Sequence, residues 1–344
     1  MFRFSINLNL TSIFIIAFIL TFIIQNILLI IMRELSQVDY YNIDDYTKIK
    51  LQSNVHLNTA TADNIKRQVR ILCWIETCPK NLKQKAIHIQ RTWGKRCDKT
   101  VYVTTEPKND DNKELELVVV NVTEGYKYLW SKTIHALKLI HREYIDEYDW
   151  FFKADDDTYA IIENLRYLLM NYSSNDLLAL GCQLKHPSEP ILYNSGGAGY
   201  VISRATLKKL SLYGLPNARI CPVDEPTLPE DTSLGICLKN LGIKLIKTQD
   251  HQGRLRFHIE RPEFHLTTRK HGNFWFYDVY PYTYRHGFDC CSNEAITFHY
   301  VTPAKMYLYD MLLYKIWPYG VTYEQKRWDI NTWNQINNSH LVIK

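Results

Sequence analysis

Three consecutive carboxylates follow a hydrophobic run in the segment 151–157, FFKADDD. Burying carboxylates this close together costs free energy unless a cation compensates them, and Mn²⁺ and Mg²⁺ prefer oxygen ligands. If the strand continues, Asp155 and Asp157 point to the same side, so these two are the predicted metal ligands. The alternative is a solvated turn, or the acidic start of a helix predicted over residues 160–172.

Two further segments carry residues that could take part in ligand binding or catalysis. The segment 193–203, YNSGGAGYVIS, has three glycines in four positions, which lets the backbone approach a ligand closely; a plain tight turn explains it equally well. The pair Glu230-Asp231 opens a predicted helix. It is either a helix cap or a carboxylate aimed into a cleft as a general base.

Aromatic and histidine residues offer weaker signals. The segment 274–282, FWFYDVYPY, contains Trp275 and predicts either core packing or a platform for a sugar ring. His299 lies in an apolar run of the strand type, ITFHYV. By pattern alone, such a histidine is a structural residue rather than a metal ligand.

The elements around these residues predict an α/β fold with a mostly parallel central sheet. Strands are predicted over 69–75, 99–105, 115–121 and 149–153, and helices over 81–93 and 129–148. Ligands of such sheets bind outside the carboxyl ends of the strands. The acidic run, which follows the last of these strands, stands at that edge.

The N-terminus predicts a transmembrane signal anchor at residues 13–32. No residue from Phe4 to Met32 is charged, and the run is long enough to span a bilayer as a helix of about 20 residues. A cleaved signal peptide would have a shorter apolar region and a small-residue cleavage site. A buried core helix is the alternative. The predicted organisation is a cytosolic tail (1–12), the anchor (13–32), a luminal stem (33–67) and a luminal catalytic domain (68–344).

The eight cysteines all follow the predicted anchor, which favours an oxidising lumen and up to four disulfides. No C-x-x-C pair suggests structural zinc instead. Cys290 and Cys291 are adjacent and are expected to bond to distant partners rather than to each other. Sequons begin at Asn121, Asn171 and Asn337.

Composition argues against a nucleic-acid partner and is compatible with a sugar ligand. The net charge is +5, from 41 basic and 36 acidic residues, and no basic cluster alternates with aromatic residues. The chain has 24 Tyr and 8 Trp, and aromatic ring faces stack on pyranose rings.

Several ordered blocks carry a family resemblance, from about Arg70 to Tyr319. They are ILCWIET, RTWGKRC, DWFFKADDDTY, SGGAGYVIS, the ED-x-x-x-G pattern, the adjacent cysteine pair and FHYV. The chain resembles the core 1 β1,3-galactosyltransferases of the fringe-like family of inverting β1,3-glycosyltransferases. The resemblance implies a GT-A-type fold, UDP-galactose as donor and Mn²⁺, with Mg²⁺ as the alternative. It also implies glycoprotein acceptors bearing GalNAc α-linked to Ser or Thr, a Golgi type II membrane protein and a homodimer.

The resemblance also implies roles for single residues. It implies His299 as a third metal ligand beside Asp155 and Asp157, against the interpretation from pattern alone. Asp231 is the implied catalytic base, with Glu230 as the second candidate, and Trp275 the implied acceptor contact. The implied donor contacts are Thr77, Gly125, Tyr126, Lys132, Asp155 and Tyr300.

Two other functions remain open at this point. One is a related β1,3-transferase with another donor or acceptor, such as an N-acetylglucosaminyltransferase. The other is a non-catalytic, chaperone-like relative that has lost the acidic motif, which the intact run Asp155–Asp157 argues against. A glycosidase would need two carboxylates at a set separation, and no pattern in the sequence places such a pair.

Overall fold

The computed structural model describes residues 17–27, 59–106, 113–225, 228–266, 275–316 and 318. The chain divides into two units, Met1–Asn54 and Val55–Lys344. Residues 17–27 of the predicted anchor are helical, and no helix within the described ranges is both long and apolar enough to cross a membrane. The rest of that anchor, the predicted tail, most of the predicted stem and the sequon at Asn337 lie outside the described residues.

The second unit alternates strands and helices. The strands are β1 (Ile71–Glu76), β2 (Lys99–Thr104), β3 (Leu117–Val119), β4 (Trp150–Asp155), β5 (Tyr159–Ala160), β6 (Leu178–Gly181), β7 (Gln183–Lys185), β8 (Leu192–Asn194), β9 (Tyr200–Ser203), β10 (Lys244–Ile246), β11 (Phe257–His258) and β12 (Thr297–Phe298). The α-helices are α1 (Ala60–Gln68), α2 (Ile87–Arg91), α3 (Leu129–Tyr144), α4 (Ile162–Leu169), α5 (Arg204–Lys209), α6 (Glu230–Asn240), α7 (Pro262–Leu266), α8 (Phe276–Val279) and α9 (Pro303–Tyr314).

A seven-stranded sheet forms the centre of this unit, in the order β10-β6-β9-β4-β1-β2-β3. The pairs β1/β2, β1/β4, β2/β3 and β6/β10 are parallel, and only β9 runs antiparallel to its neighbours β4 and β6. The prediction of an α/β fold with a mostly parallel central sheet is therefore confirmed.

Two small sheets flank the central one. One has the order β11-β12-β5, with β12 parallel to β11 and antiparallel to β5. The other is the antiparallel pair β7/β8. The three-stranded sheet matters for the site, because β5 begins two residues after the acidic run.

The central sheet is buried on both faces. Along β1, Ile71, Cys73 and Ile75 pack into one hydrophobic cluster, while Leu72 and Trp74 pack into the other. Strands that are covered on both sides lack a polar face, which is why β1 and β4 are almost continuously apolar. A charged residue inside such a strand is unusual and needs an explanation. Lys153 in β4 is such a residue.

Several predicted elements are present with shorter bounds. The predicted helix over 81–93 is a π-helical turn, Leu82–Ala86, followed by α2. The predicted helix over 160–172 is α4, because Tyr159 and Ala160 are already engaged in β5. Helix α1 lies at the end of the predicted stem.

The prediction for the adjacent cysteines is wrong. Cys290 and Cys291 are bonded to each other, and the other disulfides join Cys73 to Cys97 and Cys221 to Cys237. Cys78 and Cys182 are free. The reason is spatial: four of the other six cysteines are bonded to one another, and the 3₁₀-helical turn Gly287–Asp289 leads directly into the adjacent pair, which closes its bond locally.

Candidate active site

The carboxyl ends of the two central strands β1 and β4 place the first site residues. The parallel register sets Glu76 opposite Asp155, so Thr77 and the run Asp155–Asp157 emerge at the same edge of the sheet. The glycine-rich segment reaches this edge too, because Tyr200 at the start of β9 pairs with Lys153. This is the edge at which ligands bind in sheets of this kind.

His299 reaches the acidic run through the small sheet. Strand β12 runs antiparallel to β5, with Phe298 opposite Tyr159, so the residue after Phe298 lies beside the residues before Tyr159. The Val301 backbone N–H donates to the Asp157 carbonyl at 2.8 Å and fixes this approach. Two segments about 140 residues apart in sequence therefore meet at one point.

Asp155, Asp157 and His299 form a group that can hold a metal ion, with one ligand atom from each residue within 4.8 Å of the others. His299 Nε2 lies 3.8 Å from Asp155 Oδ2 and 3.2 Å from Asp157 Oδ1. The remaining oxygen of each aspartate is held by a lysine, Asp155 Oδ1 by Lys153 at 2.5 Å and Asp157 Oδ2 by Lys85 at 3.0 Å. Each carboxylate is thus turned so that its second oxygen faces the imidazole.

The charges and donor atoms of this group fit a divalent cation. Burial raises the pKa of Asp157, but the hydrogen bond and charge of His299 and the Lys85 ammonium outweigh it, so the pKa is lowered to about 2. Asp157 is therefore ionised across the physiological range. Two carboxylate oxygens and one imidazole nitrogen are a donor set suited to a first-row divalent metal.

The middle carboxylate of the run, Asp156, has a structural role. It is buried, and its Oδ2 accepts hydrogen bonds from Thr77 Oγ1 at 2.9 Å and from Asn81 Nδ2 at 2.8 Å. Lys85 Nζ lies 3.1 Å from Asp156 Oδ1. Asp156 therefore ties the loop after β1 to the acidic run, which brings Thr77 beside the candidate metal ligands.

The glycine-rich segment makes room for the histidine. A Cβ added to Gly197 would lie 2.1 Å from His299 Cε1, so the imidazole packs directly on the Gly197 backbone. The ring also stacks with that of Tyr300, with ring centroids 3.8 Å apart. Tyr300 has φ +55°, the only positive value at a non-glycine residue in the described part of the chain. Backbone strain of this kind often marks a functional site.

Replacing Gly197 with alanine is expected to displace His299 and weaken Mn²⁺ binding about 10–100-fold, the loss typical when the support of a metal ligand is removed. Mn²⁺ titration followed by electron paramagnetic resonance measures this. Gly253→Ala is the control for a strained glycine substitution away from the site: its φ of +77° disfavours a side chain, but no described heavy atom lies within 4 Å of its added Cβ, so Mn²⁺ affinity should be unchanged. An unchanged Mn²⁺ affinity in Gly197→Ala would show that His299 is not a ligand.

The two acids at the start of α6 have different surroundings. Glu230 is buried; its Oε1 accepts a hydrogen bond from the Tyr200 hydroxyl at 2.7 Å, and its Oε2 lies 3.9 Å from Lys153 Nζ. Burial raises the pKa of Glu230, and the negative charges of Glu76 and Asp231 raise it further against the opposing charge of Lys153. Glu230 is thus an enclosed, hydrogen-bonded group.

Asp231 is half-buried and held by the backbone. Its Oδ2 accepts from the Gly196 N–H at 3.2 Å and its Oδ1 from the Thr232 N–H at 2.8 Å. Burial raises the pKa of Asp231, although these two hydrogen bonds oppose the shift. A carboxylate with a raised pKa that is still partly open suits a general base better than the enclosed Glu230.

A buried polar cluster beneath the site is formed by Glu76, Thr133, Lys153, Tyr200 and Glu230, and of these residues only Glu230 was assigned a role from the sequence. Thr133 Oγ1 donates to Glu76 Oε1 at 2.7 Å and lies 3.3 Å from Glu230 Oε1. Lys153 Nζ lies 3.5 Å from Glu76 Oε2. The available signal was a lysine within an apolar strand, separated by one residue from three consecutive acids.

The predicted donor contacts lie around the loop after β1. Lys132 is buried, and its Nζ donates to the Thr77 carbonyl at 2.9 Å and to Glu124 Oε1 at 3.0 Å. Gly125 has φ +132°, and Tyr126 beside it is 87% exposed. These contacts place Lys132 and the segment containing Gly125 next to Thr77.

Trp275, the predicted acceptor contact, is 51% exposed and packs edge-on against Phe276, with ring centroids 6.2 Å apart. Phe276 in turn is buried and stacks on Tyr280. The aromatic segment therefore serves as core through Phe276 and presents Trp275 at the surface. Its role towards an acceptor stays a prediction.

Comparisons with known proteins identify a family and several relatives. The model of the Fringe-like family matches residues 66–265. Glycoprotein-N-acetylgalactosamine 3-beta-galactosyltransferase 1 of Xenopus laevis is 35% identical over 275 residues, which cover 79% of this chain and 74% of that protein.

More distant relatives match a smaller part. Chondroitin sulfate synthase 3 of Homo sapiens is 27% identical over 49% of this chain and 20% of its own length. The beta-1,3-N-acetylglucosaminyltransferase radical fringe of Notophthalmus viridescens is 25% identical over 51% of this chain and 48% of its own. Among solved structures, an active-site mutant of LgtC aligns with 72% of this chain and 98% of its own at 13% identity and a TM-score of 0.39.

Proposed function

The chain belongs to the Fringe-like family of glycosyltransferases, and from that premise we propose that it transfers galactose from UDP-galactose to glycoproteins. The acceptor group is the 3-hydroxyl of GalNAc α-linked to Ser or Thr. The observation that carries this proposal is the 35% identity, over most of both chains, to a protein named for that reaction. The candidate metal ligands beside Asp231 supply groups that such a reaction needs.

The donor end of the site would bind a divalent cation and the diphosphate of UDP. Asp155 Oδ2, Asp157 Oδ1 and His299 Nε2 would hold Mn²⁺, or Mg²⁺ in its place. The bound cation would supply positive charge that stabilises the UDP leaving group. Lys153 and Lys85 orient the two carboxylates and keep their outer oxygens hydrogen-bonded.

The acceptor end of the site would remove a proton. Asp231 would accept the proton of the acceptor's 3-hydroxyl, because its oxygens are anchored by two backbone N–H groups and its pKa is raised by burial. The freed oxygen would attack the anomeric carbon on the side opposite UDP, so that an α-linked donor gives a β-linked product. Glu230 is enclosed by Tyr200 and Lys153 and would shape the site rather than act as base.

Further groups are proposed as substrate contacts. The nucleotide would be bound by Thr77, Gly125, Tyr126, Lys132 and Tyr300, with Lys132 acting through the carbonyl of Thr77. Trp275 would stack on the acceptor sugar, since the residue is 51% exposed. The arrangement would be that of a GT-A-type fold.

The cellular setting is proposed on the sequence. Residues 13–32 would anchor the chain in the Golgi membrane as a type II protein, with residues 68–344 as the luminal catalytic domain. The three disulfides support an oxidising compartment. The proposed assembly is a homodimer.

The function is tested by offering the full-length purified protein several nucleotide sugars with a GalNAc-α-threonine peptide, in the presence of Mn²⁺. UDP-galactose is expected to give the product, and nuclear magnetic resonance should show a β1→3 linkage. UDP-N-acetylglucosamine and UDP-glucose serve as matched donors. Product from UDP-N-acetylglucosamine alone would contradict the proposed donor, and no product from any donor would contradict the proposed activity.

A further inference from the structure

The buried ammonium of Lys153 contacts both halves of the site. On one side, its Nζ donates to Oδ1 of Asp155, a candidate metal ligand, at 2.5 Å. On the other side, it lies 3.4 Å from the Gly196 carbonyl, and the N–H of that same glycine donates to Asp231. The side chain is only 2% exposed, so the ammonium is almost entirely shielded from bulk water.

The same ammonium also reaches the helix that carries the candidate base. Glu230 Oε2, in the residue before Asp231, lies 3.9 Å from Lys153 Nζ. Glu230 is fixed in turn by the Tyr200 hydroxyl, and Tyr200 pairs with Lys153 across β4 and β9. Two routes therefore run from Lys153 to Asp231, one through Gly196 and one through the start of α6.

We propose that Lys153 is a positioning residue that sets the placement of the metal ligand Asp155 relative to the base Asp231. The inference rests on the proposed function for the role of Asp231, and on the geometry for the contacts. Because one ammonium is hydrogen-bonded to Asp155 and to the Gly196 carbonyl and lies 3.9 Å from Glu230 at the start of α6, movement of either half displaces the other. A rigid charge in a dry site also needs no rearrangement during the reaction.

A purely structural role is the competing explanation, because Lys153 also balances the charge of Glu76. Glu76 Oε2 is buried, lies 3.5 Å from Lys153 Nζ and has no hydrogen-bond partner among the described residues. Removing Lys153 alone leaves buried carboxylates without their cation, which can prevent folding. The test must separate this charge balance from the contacts to Asp155 and Gly196.

The double variant Lys153→Met with Glu76→Gln makes that separation. It removes one positive and one negative charge, so the cluster keeps its formal charge, and the glutamine can still accept the hydrogen bond from Thr133. We expect it to fold, and to bind Mn²⁺ about 10–100-fold more weakly because Asp155 loses its orienting donor. We also expect kcat to fall by at least about tenfold, with little change in KM for the acceptor peptide.

The readouts are Mn²⁺ affinity by electron paramagnetic resonance, thermal unfolding, and kcat and KM of the full-length protein. Lys209→Met is the matched control, because Lys209 is a part-buried lysine that donates to the Leu241 carbonyl away from the site. The Mn²⁺ affinity of this variant should equal that of the wild type.

Two results would overturn the inference. One is Mn²⁺ affinity and kcat of the double variant within about twofold of wild type. The other is failure of the charge-balanced variant to fold, which would make Lys153 a residue of the fold rather than of the site. If the wild-type protein binds Mn²⁺ but transfers no galactose, the proposed function fails, while the affinity comparison still decides whether Lys153 positions Asp155.

Discussion

Asp231→Asn is expected to lower kcat about 10²–10⁴-fold, the range found when a general base is removed. The amide has nearly the shape of the carboxylate, so the anchoring contacts with the Gly196 and Thr232 N–H groups can partly persist through its oxygen. Binding of UDP with Mn²⁺ should be unchanged, because the ligand atoms of Asp155, Asp157 and His299 are untouched. Steady-state kinetics and calorimetry measure the two quantities separately.

Two comparisons make this result specific. Asp224→Asn changes an exposed acid a few residues before the same helix and should keep wild-type turnover. Glu230→Gln should retain far more turnover than Asp231→Asn, because Glu230 is enclosed. The reverse order would make Glu230 the base, and an equal loss of UDP binding in Asp231→Asn would remove Asp231 from that role.

Asp157→Asn is expected to have an effect of similar size by a different route. Asp157 faces His299 with one oxygen and Lys85 with the other, so the variant removes a ligand charge and one of the two carboxylates that pair with the half-buried Lys85. Mn²⁺ affinity should fall at least about tenfold, and turnover at least about 10²-fold, as when a group that stabilises transition-state charge is lost. UDP binding should weaken together with Mn²⁺ binding.

This pattern distinguishes the ligand from the base, since only Asp157→Asn is expected to affect the cation and the nucleotide. Excess Mn²⁺ should restore part of the activity of Asp157→Asn and none of that of Asp231→Asn. Wild-type Mn²⁺ affinity in Asp157→Asn would show that the cation binds elsewhere.

The sequence predicted well what is local. The apolar strand ending in acids was visible in FFKADDD, because hydrophobic runs predict buried strands and carboxylates at a strand end predict a ligand site. The α/β class followed from the alternation of elements. The helix starting at Glu230 was also readable, since acidic residues favour a helix N-terminus.

What depends on distant pairing was not readable from pattern. By pattern alone, His299 was a structural histidine, and only the family resemblance singled it out. The pairing of β5 with β12 places it, and no local signal encodes that register. A lysine within an apolar strand was visible in the sequence, but its role was not, because its partners Glu76, Gly196 and Glu230 come from three separate segments.

The disulfide between Cys290 and Cys291 is another feature that the sequence pattern did not predict. Distant partners were expected for Cys290 and Cys291 because adjacent cysteines seldom bond to each other, yet the structure joins these two, while Cys73 pairs with Cys97 and Cys221 with Cys237. The number of cysteines limits how many disulfides can form, whereas the path of the folded chain determines which cysteines bond.

The most direct test of the account is galactose transfer by the full-length protein after metal depletion. Transfer from UDP-galactose to a GalNAc-α-threonine peptide is measured after chelation, and again after Mn²⁺ is restored. We predict no transfer without the cation and recovery of the wild-type rate with it. Undiminished transfer by the depleted protein would contradict the assignment of Asp155, Asp157 and His299 as the metal site on which the proposed reaction depends.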